Sequence, residues 1–483
     1  MSTTKQGRKD GGEKGQIKII KAFMGTVRHY YGKWEDIFQK VKDWRDPKRI
    51  TYPLAELLFT GLLMYICQLG SRRNINHKLR GNEAAEEKSR LLFGTEQIPH
   101  GDTLNYGFKR LAIEEMQAVV SDLVAVLIRK KVLARWRLFG VYYLVAIDGT
   151  VVLSFTERHC EYCLTQQLNN GTIRYYHPVL EAKLITTNGF ALSLMTEFIE
   201  NREPGASKQD CELKAFYRLA ERLKKRFPRL PICLLLDGLF AGGPTFGYCE
   251  QYGWKFLVVL TDSDLPDINY EFEALMSLAP DNRKQIEPEY GIQQTYRWMD
   301  EIHYVDSQNK GHMLGVLECV ETKCKETVTK YKWLTNFLLT SGNVHILANN
   351  AGRLRWKIEN EGFNLQKNGG FRLEHPYSQD DTARKVFYFL LQIAFLFFQL
   401  MEKGSLFRHA FPNGVGSLKN IAFRLLEAWR NLHLDDQVFV SLYAGKYQIR
   451  FDSSLIRLPG LFNIPMQPRW ATLNIQHQFC PSF

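Results

Sequence analysis

Two short apolar segments that end in the same way constrain this chain more than anything else in it. Residues 141–147 read VYYLVAI and run into Asp148-Gly149-Thr150; residues 232–236 read ICLLL and run into Asp237-Gly238. Runs of this length, rich in β-branched and large aliphatic residues and without polar alternation, predict strands buried on both faces. Such strands need helices above and below, so the fold class is α/β. Each segment delivers a carboxylate where the strand meets a turn, and ligand sites of open α/β sheets gather there. Asp-Gly is also a common turn pair whose carboxylate accepts backbone N–H groups. For a single unit that plainer reading is preferred; two units on consecutive buried strands leave both readings standing.

The remainder divides by texture. Residues 1–49 hold 13 Lys/Arg against 6 Asp/Glu, which is +7 of the net +12, and suggest a basic tail or DNA-binding segment, with residues 1–16 disordered. A solubilising tail would look the same. Residues 50–138 read as a helical domain suited to binding a DNA end, with Ser71-Arg72-Arg73 as one candidate contact; a bundle that packs on the core is the alternative. Residues 139–254 carry the two strand-Asp units, 255–342 are a β-rich stretch, and 343–400 turn helical. Residues 401–483 are left as a C-terminal region for oligomer contacts. With 45% hydrophobic and 13% aromatic residues the chain is no disordered polymer.

The start of the chain is polar and Gly/Lys-rich, without the apolar stretch of a secretory signal. The apolar runs 57–69 and 386–400 fall short of the about 20 residues that a membrane span needs, so both read as buried helices. Nine cysteines without an export signal argue against a disulfide framework. The expectation is a cytoplasmic, nucleoid-associated protein without a membrane.

A third acid, Glu359, falls in a predicted helix that starts near Asn343, with Arg353, Arg355, Lys357 and Lys367 around it. Arg355 precedes it by four residues and so shares its helix face. An acid among bases is what a metal ligand beside a phosphate backbone requires, and a solvated, salt-bridged face is the bland equivalent. Phosphodiester chemistry needs carboxylates close together to hold two divalent ions. A separate set, His159-Cys160-x-x-Cys163 with His177 downstream, is compatible with structural Zn2+. Buried thiols are the commoner role of one Cys-x-x-Cys, so turn or core residues are expected there rather than zinc.

In this order of parts the chain resembles the DDE transposases of bacterial insertion sequences, in the branch with the YREK signature. The resemblance runs from about 50 to about 430. It rests on strand-Asp148-Gly-Thr, strand-Asp237-Gly, a β-rich stretch, then RWKIENEGFN, in which Arg355 and Glu359 have the signature's spacing. Lys208-Gln209-Asp210-Cys211-Glu212 ahead of the second Asp, and Glu374-His375-Pro376-Tyr377 before a long apolar helix, are also similar. Gly352 stands where the signature has Tyr, and Gln366 where it has Lys, with Lys367 beside it. The resemblance implies an RNase H-like catalytic core with a β-strand insertion and an α-helical N-terminal domain. It implies Asp148, Asp237 and Glu359 as catalytic residues and ligands of two Mg2+ (or Mn2+) ions, with Arg353, Arg355, Lys357 and Lys367 near DNA. The implied reaction is cut-and-paste transposition by 3′-end cleavage and strand transfer, by a homodimer bridging double-stranded transposon ends and target DNA. A catalytically inert, transposase-derived DNA-binding protein is the alternative. A two-carboxylate glycoside hydrolase is disfavoured, because a neutral sugar needs no cations.

Overall fold

The computed structural model describes residues 12–201, 209–289, 291–323, 327–434 and 447–451. Helices fill the N-terminal third: α1 (Glu13–Tyr31), α2 (Trp34–Phe38), α3 (Leu54–Ile66), α4 (Arg73–Lys78), α5 (Glu83–Phe93), α6 (Gly101–Phe108) and α7 (Ile113–Arg129). Strands β1 (Tyr143–Phe155), β2 (Leu164–Gln167), β3 (Ile173–Ile185) and β4 (Ala191–Phe198) follow. Then come α8 (Glu212–Arg226), β5 (Ile232–Leu236), α9 (Gly243–Tyr252), β6 (Lys255–Val259) and α10 (Pro266–Leu278). Strands β7 (Arg283–Glu289), β8 (Ile292–Val305), β9 (Gly311–Lys323) and β10 (Thr327–Thr335) precede α11 (Val344–Asn350), α12 (Asn364–Asn368), α13 (Asp381–Lys403), α14 (Ser405–Ala410) and α15 (Leu418–Asn431).

All ten strands belong to one sheet, ordered β2-β3-β1-β5-β6-β10-β9-β8-β7, with β4 also paired to β3. β3 is antiparallel to both β1 and β4, while β1, β5 and β6 run parallel. In the run β4-β3-β1-β5-β6, β3 alone is therefore reversed. The β-rich stretch does not build a sheet of its own. β10 pairs antiparallel with β6, Trp333 opposite Val259, and so extends the main sheet across what would otherwise be an exposed edge. Within that stretch α10 and β7 went unrecognised in the sequence.

At the other edge, side chains do the work of a missing strand. On β4, Thr196 N donates to Gln117 Oε1 (2.8 Å), Ser121 Oγ donates to Leu194 O (2.7 Å), and Gln399 both accepts from Ala191 N (2.8 Å) and donates to Ala191 O (3.1 Å). Gln117 and Ser121 lie on α7 and Gln399 on α13, so the β4 backbone docks the helical region onto the sheet. Gln392, the other polar residue in the apolar run, accepts from Lys183 (2.9 Å) and from Gln366 (2.8 Å). Asp380 caps α13 by accepting from Ala383 N at 2.9 Å. By length and composition α13 would cross a membrane, but 94% of its most apolar window is buried within the protein. A helix apolar all round is a core helix when protein surrounds it, and α1, α3 and α7 pack on this one.

Two expectations about the N-terminal region change. Helix α1 begins at Glu13 rather than after a disordered stretch to residue 16, and it is no free tail: Ile19, Ile20, Phe23, Val27 and Tyr30 are buried against the C-terminal helices. Arg72 is also committed internally, donating to Tyr377 O (2.6 Å) and Gly101 O (3.1 Å) and pairing with Asp102 (3.0 Å). Residues 1–11, Lys208, and most of the C-terminal region proposed for oligomer contacts lie outside the described residues.

Candidate active site

The two aspartates are neighbours by register. β1 and β5 pair in parallel from Tyr143 opposite Ile232 to Ala146 opposite Leu235. Two residues further on, Asp148 faces Asp237. Strand β5 ends at Leu236, as expected, but β1 does not end at Asp148. It continues to Phe155 because β3 stays paired with it, Asp148 opposite Glu181. Asp148 thus sits where β1 outlasts its parallel neighbour, at the mouth between the strands. Each Asp uses Oδ1 for the local turn: Gly149 N donates to Asp148 (2.9 Å) and Leu239 N to Asp237 (3.1 Å). The turn role and a site role coexist, since Oδ2 of each is not spent in this way.

Glu359 arrives on a helix broken into pieces, not on one helix from Asn343. After α11 the chain makes a 3-10 segment, Gly352–Trp356, then a π-helical turn, Ile358–Phe363, then α12. The π geometry shows in the bond from Asn364 N to Glu359 O, five residues back. Such turns recur at functional sites because they re-aim side chains without ending the helix. Buried Ile358 and Phe363 hold this turn, which packs over β1 and β4, while the 3-10 segment packs on β5 and β6. Gly352 is required by packing: a Cβ there would stand 2.5 Å from Trp333 Cε2, so the signature's Tyr has no room. Gln366 is fully buried and bonded to Gln392, a structural role unlike that of a solvent-facing Lys.

The electrostatics tie the acids together. Burial pushes the Asp148 carboxyl up to about 6; Arg355 opposes this, and the charges of Asp237 and Glu359 add to it. Burial likewise raises Asp237, against the pull of Arg355. The Arg355 guanidinium is buried, pairs with Asp148 Oδ2 at 3.4 Å and lies over the Trp356 ring at 4.2 Å. A fourth acid, Glu212 in the first turn of α8, was missed as a site residue. A Cβ at Gly149 would collide with its carboxylate, so glycine makes room for it, and burial with repulsion from Asp148 and Asp237 raises it to about 7. Of these acids, Asp148 and Asp237 both feel the one Arg355 guanidinium. The hard oxygen donors, with the ionisation of Asp148, Asp237 and Glu212 suppressed, fit a divalent cation such as Mg2+ or Mn2+. The acids are spaced more widely than the sulfur and nitrogen donors elsewhere in the fold: among the described residues, the set of three or more His, Cys, Asp or Glu ligand atoms that all lie within 4.8 Å of one another is His159, Cys160, Cys163 and His177. The fold thus gathers into one place the four residues that the sequence had grouped.

The four cations expected near DNA are each engaged inside the protein. Arg355 pairs with Asp148, Arg353 with Glu321 (2.5 Å), Lys357 with Glu361 (2.7 Å) and Lys367 with Glu374 (3.1 Å). Arg353 also lies over the Tyr331 ring, which stacks on Trp333 at 3°. Arg353 and half-exposed Trp356, with Thr261, Asp262, Lys330, Lys332 and Trp333, form the wall of an open cleft.

Residues 35–124, from α2 to α7, match the family model described as DDE_Tnp_1-associated, a description that pairs this segment with DDE transposase domains. The matched segment ends before β1 and contains none of the four acids. No curated protein matches the chain. Among solved structures the chain is similar to a piggyBac transposase synaptic complex with hairpin DNA, determined by cryo-EM, at 9% identity and a TM-score of 0.35 over 86% of this chain and 80% of that one. A superposition that loose defines no shared fold, and the strand order has to speak for itself.

Proposed function

We propose that this protein is a metal-dependent DNA transposase of the DDE type. The observation that carries the reading is the register: the parallel pairing of β1 and β5 brings Asp148 on β1 alongside Asp237, the first residue past β5, and Glu359 lies close enough to raise Asp148 by its charge. The strand order β4-β3-β1-β5-β6 with only β3 reversed supports an RNase H-like core. The match over residues 35–124 supports the same reading independently.

In this reading Asp148, Asp237 and Glu359 hold the divalent ions, and Glu212 completes the negative rim. When bound, two such ions would activate a water or a 3′-hydroxyl and neutralise charge at the phosphodiester. Arg355 keeps Asp148 oriented and offsets part of the cluster's repulsion until metal and DNA enter. The acids must be ionised to act, and Asp148 and Glu212 are raised towards neutrality, so cleavage should rise with pH from about 6 to 8. The products are a nicked transposon end with a free 3′-OH and then its joint to target DNA, within a dimer that brings two ends together.

The test is cleavage of DNA that carries the protein's own gene and its flanks, with Mg2+ or Mn2+. Wild type should nick at defined ends, and Asp148→Asn, Asp237→Asn and Glu359→Gln should not, while still retarding the same DNA on a gel. End binding by wild type with no cleavage under either metal would favour the inert DNA-binding descendant. Cleavage by any of the three variants would remove that residue from the site.

A further inference from the structure

We infer that His159, Cys160, Cys163 and His177 bind one structural Zn2+ ion that pins the loop between β1 and β2 to β3. His159, Cys160 and Cys163 lie on the connection that follows Phe155, the last residue of β1, and His177 lies on β3 opposite Leu153. Cys160 Sγ and Cys163 Sγ are 3.7 Å apart. His177 Nε2 lies 3.5 Å from Cys160 Sγ and 3.2 Å from Cys163 Sγ. Tetrahedral zinc, with Zn–S of about 2.3 Å and Zn–N of about 2.0–2.1 Å, sets S···S edges of about 3.8 Å and S···N edges of about 3.6 Å. The observed edges come within about 0.4 Å of such a tetrahedron, and a ring nitrogen of His159, within 4.8 Å of the other three ligand atoms, supplies the fourth corner. A Cys–Cys disulfide would need sulfurs about 2.05 Å apart.

The surroundings hold the donors ready. Cys163 and His177 are buried, and Cys160 is half-buried. The His159 ring stacks on Phe155 at 4.5 Å and stands edge-on to His177 at 6.0 Å. His159 Nδ1 is buried without a hydrogen-bond partner, a cost that a ligand would relieve. Asn201 ties the loop from outside, donating through Nδ2 to Cys163 O at 3.1 Å and through its backbone N–H to Tyr162 O at 3.3 Å. Two thiolates and two imidazoles select zinc over the hard divalent ions that oxygen donors take. The clip is distinct from the carboxylates: His177 lies four residues along β3 from Glu181, the partner of Asp148, which at about 3.3 Å per residue is roughly 13 Å away. Its role is to fix a 13-residue strand, β1, beyond the point where β5 releases it.

Elemental analysis of the purified full-length protein tests this. One zinc per chain is expected, falling to background in Cys163→Ser and His177→Ala and unchanged in Cys211→Ser, an exposed thiol outside the cluster. Because those variants could simply unfold, two further measurements accompany them. Cys160→His, which keeps four ligands, should retain the zinc, and Co2+ exchanged into wild type should show tetrahedral ligand-field bands with thiolate-to-cobalt charge transfer. Wild type without stoichiometric zinc, Co2+ without thiolate charge transfer, or full zinc in Cys163→Ser would each overturn the inference. Glu359→Gln should keep its zinc in full, so failure of the transposase reading and failure of this one are separable.

Discussion

Replacing Arg353 by Met asks whether that residue serves the fold or the DNA. Its partner Glu321 is 3% exposed at the side chain and also accepts from Gln294 (2.7 Å) and pairs with Lys323 (3.2 Å). Burial works against ionisation of Glu321, but hydrogen bonds from Arg353 and Gln294 outweigh it and hold the carboxyl down at about 2. The folded value lies below the ordinary value of 4.5, so the folded state binds this proton more weakly than the unfolded chain. The stabilisation is therefore present in full above about pH 4.5 and is lost as pH falls towards 2. A drop of about 2.5 units corresponds to roughly 3 kcal/mol, shared among the three donors. Removing the guanidinium leaves a nearly buried carboxylate, for which losses of about 3–5 kcal/mol are typical, and the remaining donors place the expected loss at the lower end. Urea unfolding at pH 7 and at pH 3 measures it. The variant should be less stable by roughly 3 kcal/mol at pH 7, with a clearly smaller gap at pH 3. Equal stability at pH 7, together with a weaker salt dependence of DNA binding, would refute the structural assignment and make Arg353 a phosphate contact.

Other substitutions probe separate links. Gly352→Ala should destabilise the fold by about 1–3 kcal/mol, because Trp333 must move aside; an unchanged melting temperature would show that the wall can give. Gln399→Leu unpairs both Ala191 N and O on the β4 edge and should cost about 2–4 kcal/mol in denaturant unfolding, and a neutral result would mean that water takes over there. Glu212→Gln removes a carboxyl raised from 4.5 to about 7. The raised value means that the metal-free protein loses stability as pH climbs from about 4.5 through 7, and melting in EDTA at pH 5 and pH 8 should show a smaller drop for the variant than for wild type.

What could be read from the sequence followed the range of the interactions. β1 and β5 were visible because strands buried on both faces leave long unbroken apolar runs, and the acids after them stood out in consequence. Arg355 and Glu359 both act on Asp148, although the single helix expected under them is broken. A 3-10 segment followed by a π turn arises from packing on β1, β5 and β6, not from local propensity. Glu212 escaped because an acid in the first turn of a helix has an ordinary explanation in the helix dipole. Its only sequence signal was its place just ahead of the second Asp strand. The cysteine pair and both histidines were legible as a set, while the contact that brings His177 to the thiols is made by the β1–β3 register. Among the cations, Lys357 with Glu361 could have been paired from the i, i+4 rule, whereas Glu321 reaches Arg353 only across the extended sheet.

The central claim is that Asp148, Asp237 and Glu359 are ligands of divalent metal. The most direct measurement is anomalous diffraction at the manganese edge from crystals of the protein soaked in Mn2+, for wild type and Glu359→Gln. Manganese peaks between the Asp148 and Asp237 carboxylates and beside Glu359, weakened in the variant, are the result this account predicts. Manganese bound elsewhere, with Arg355 still paired to Asp148 and the carboxylates bare, would contradict it.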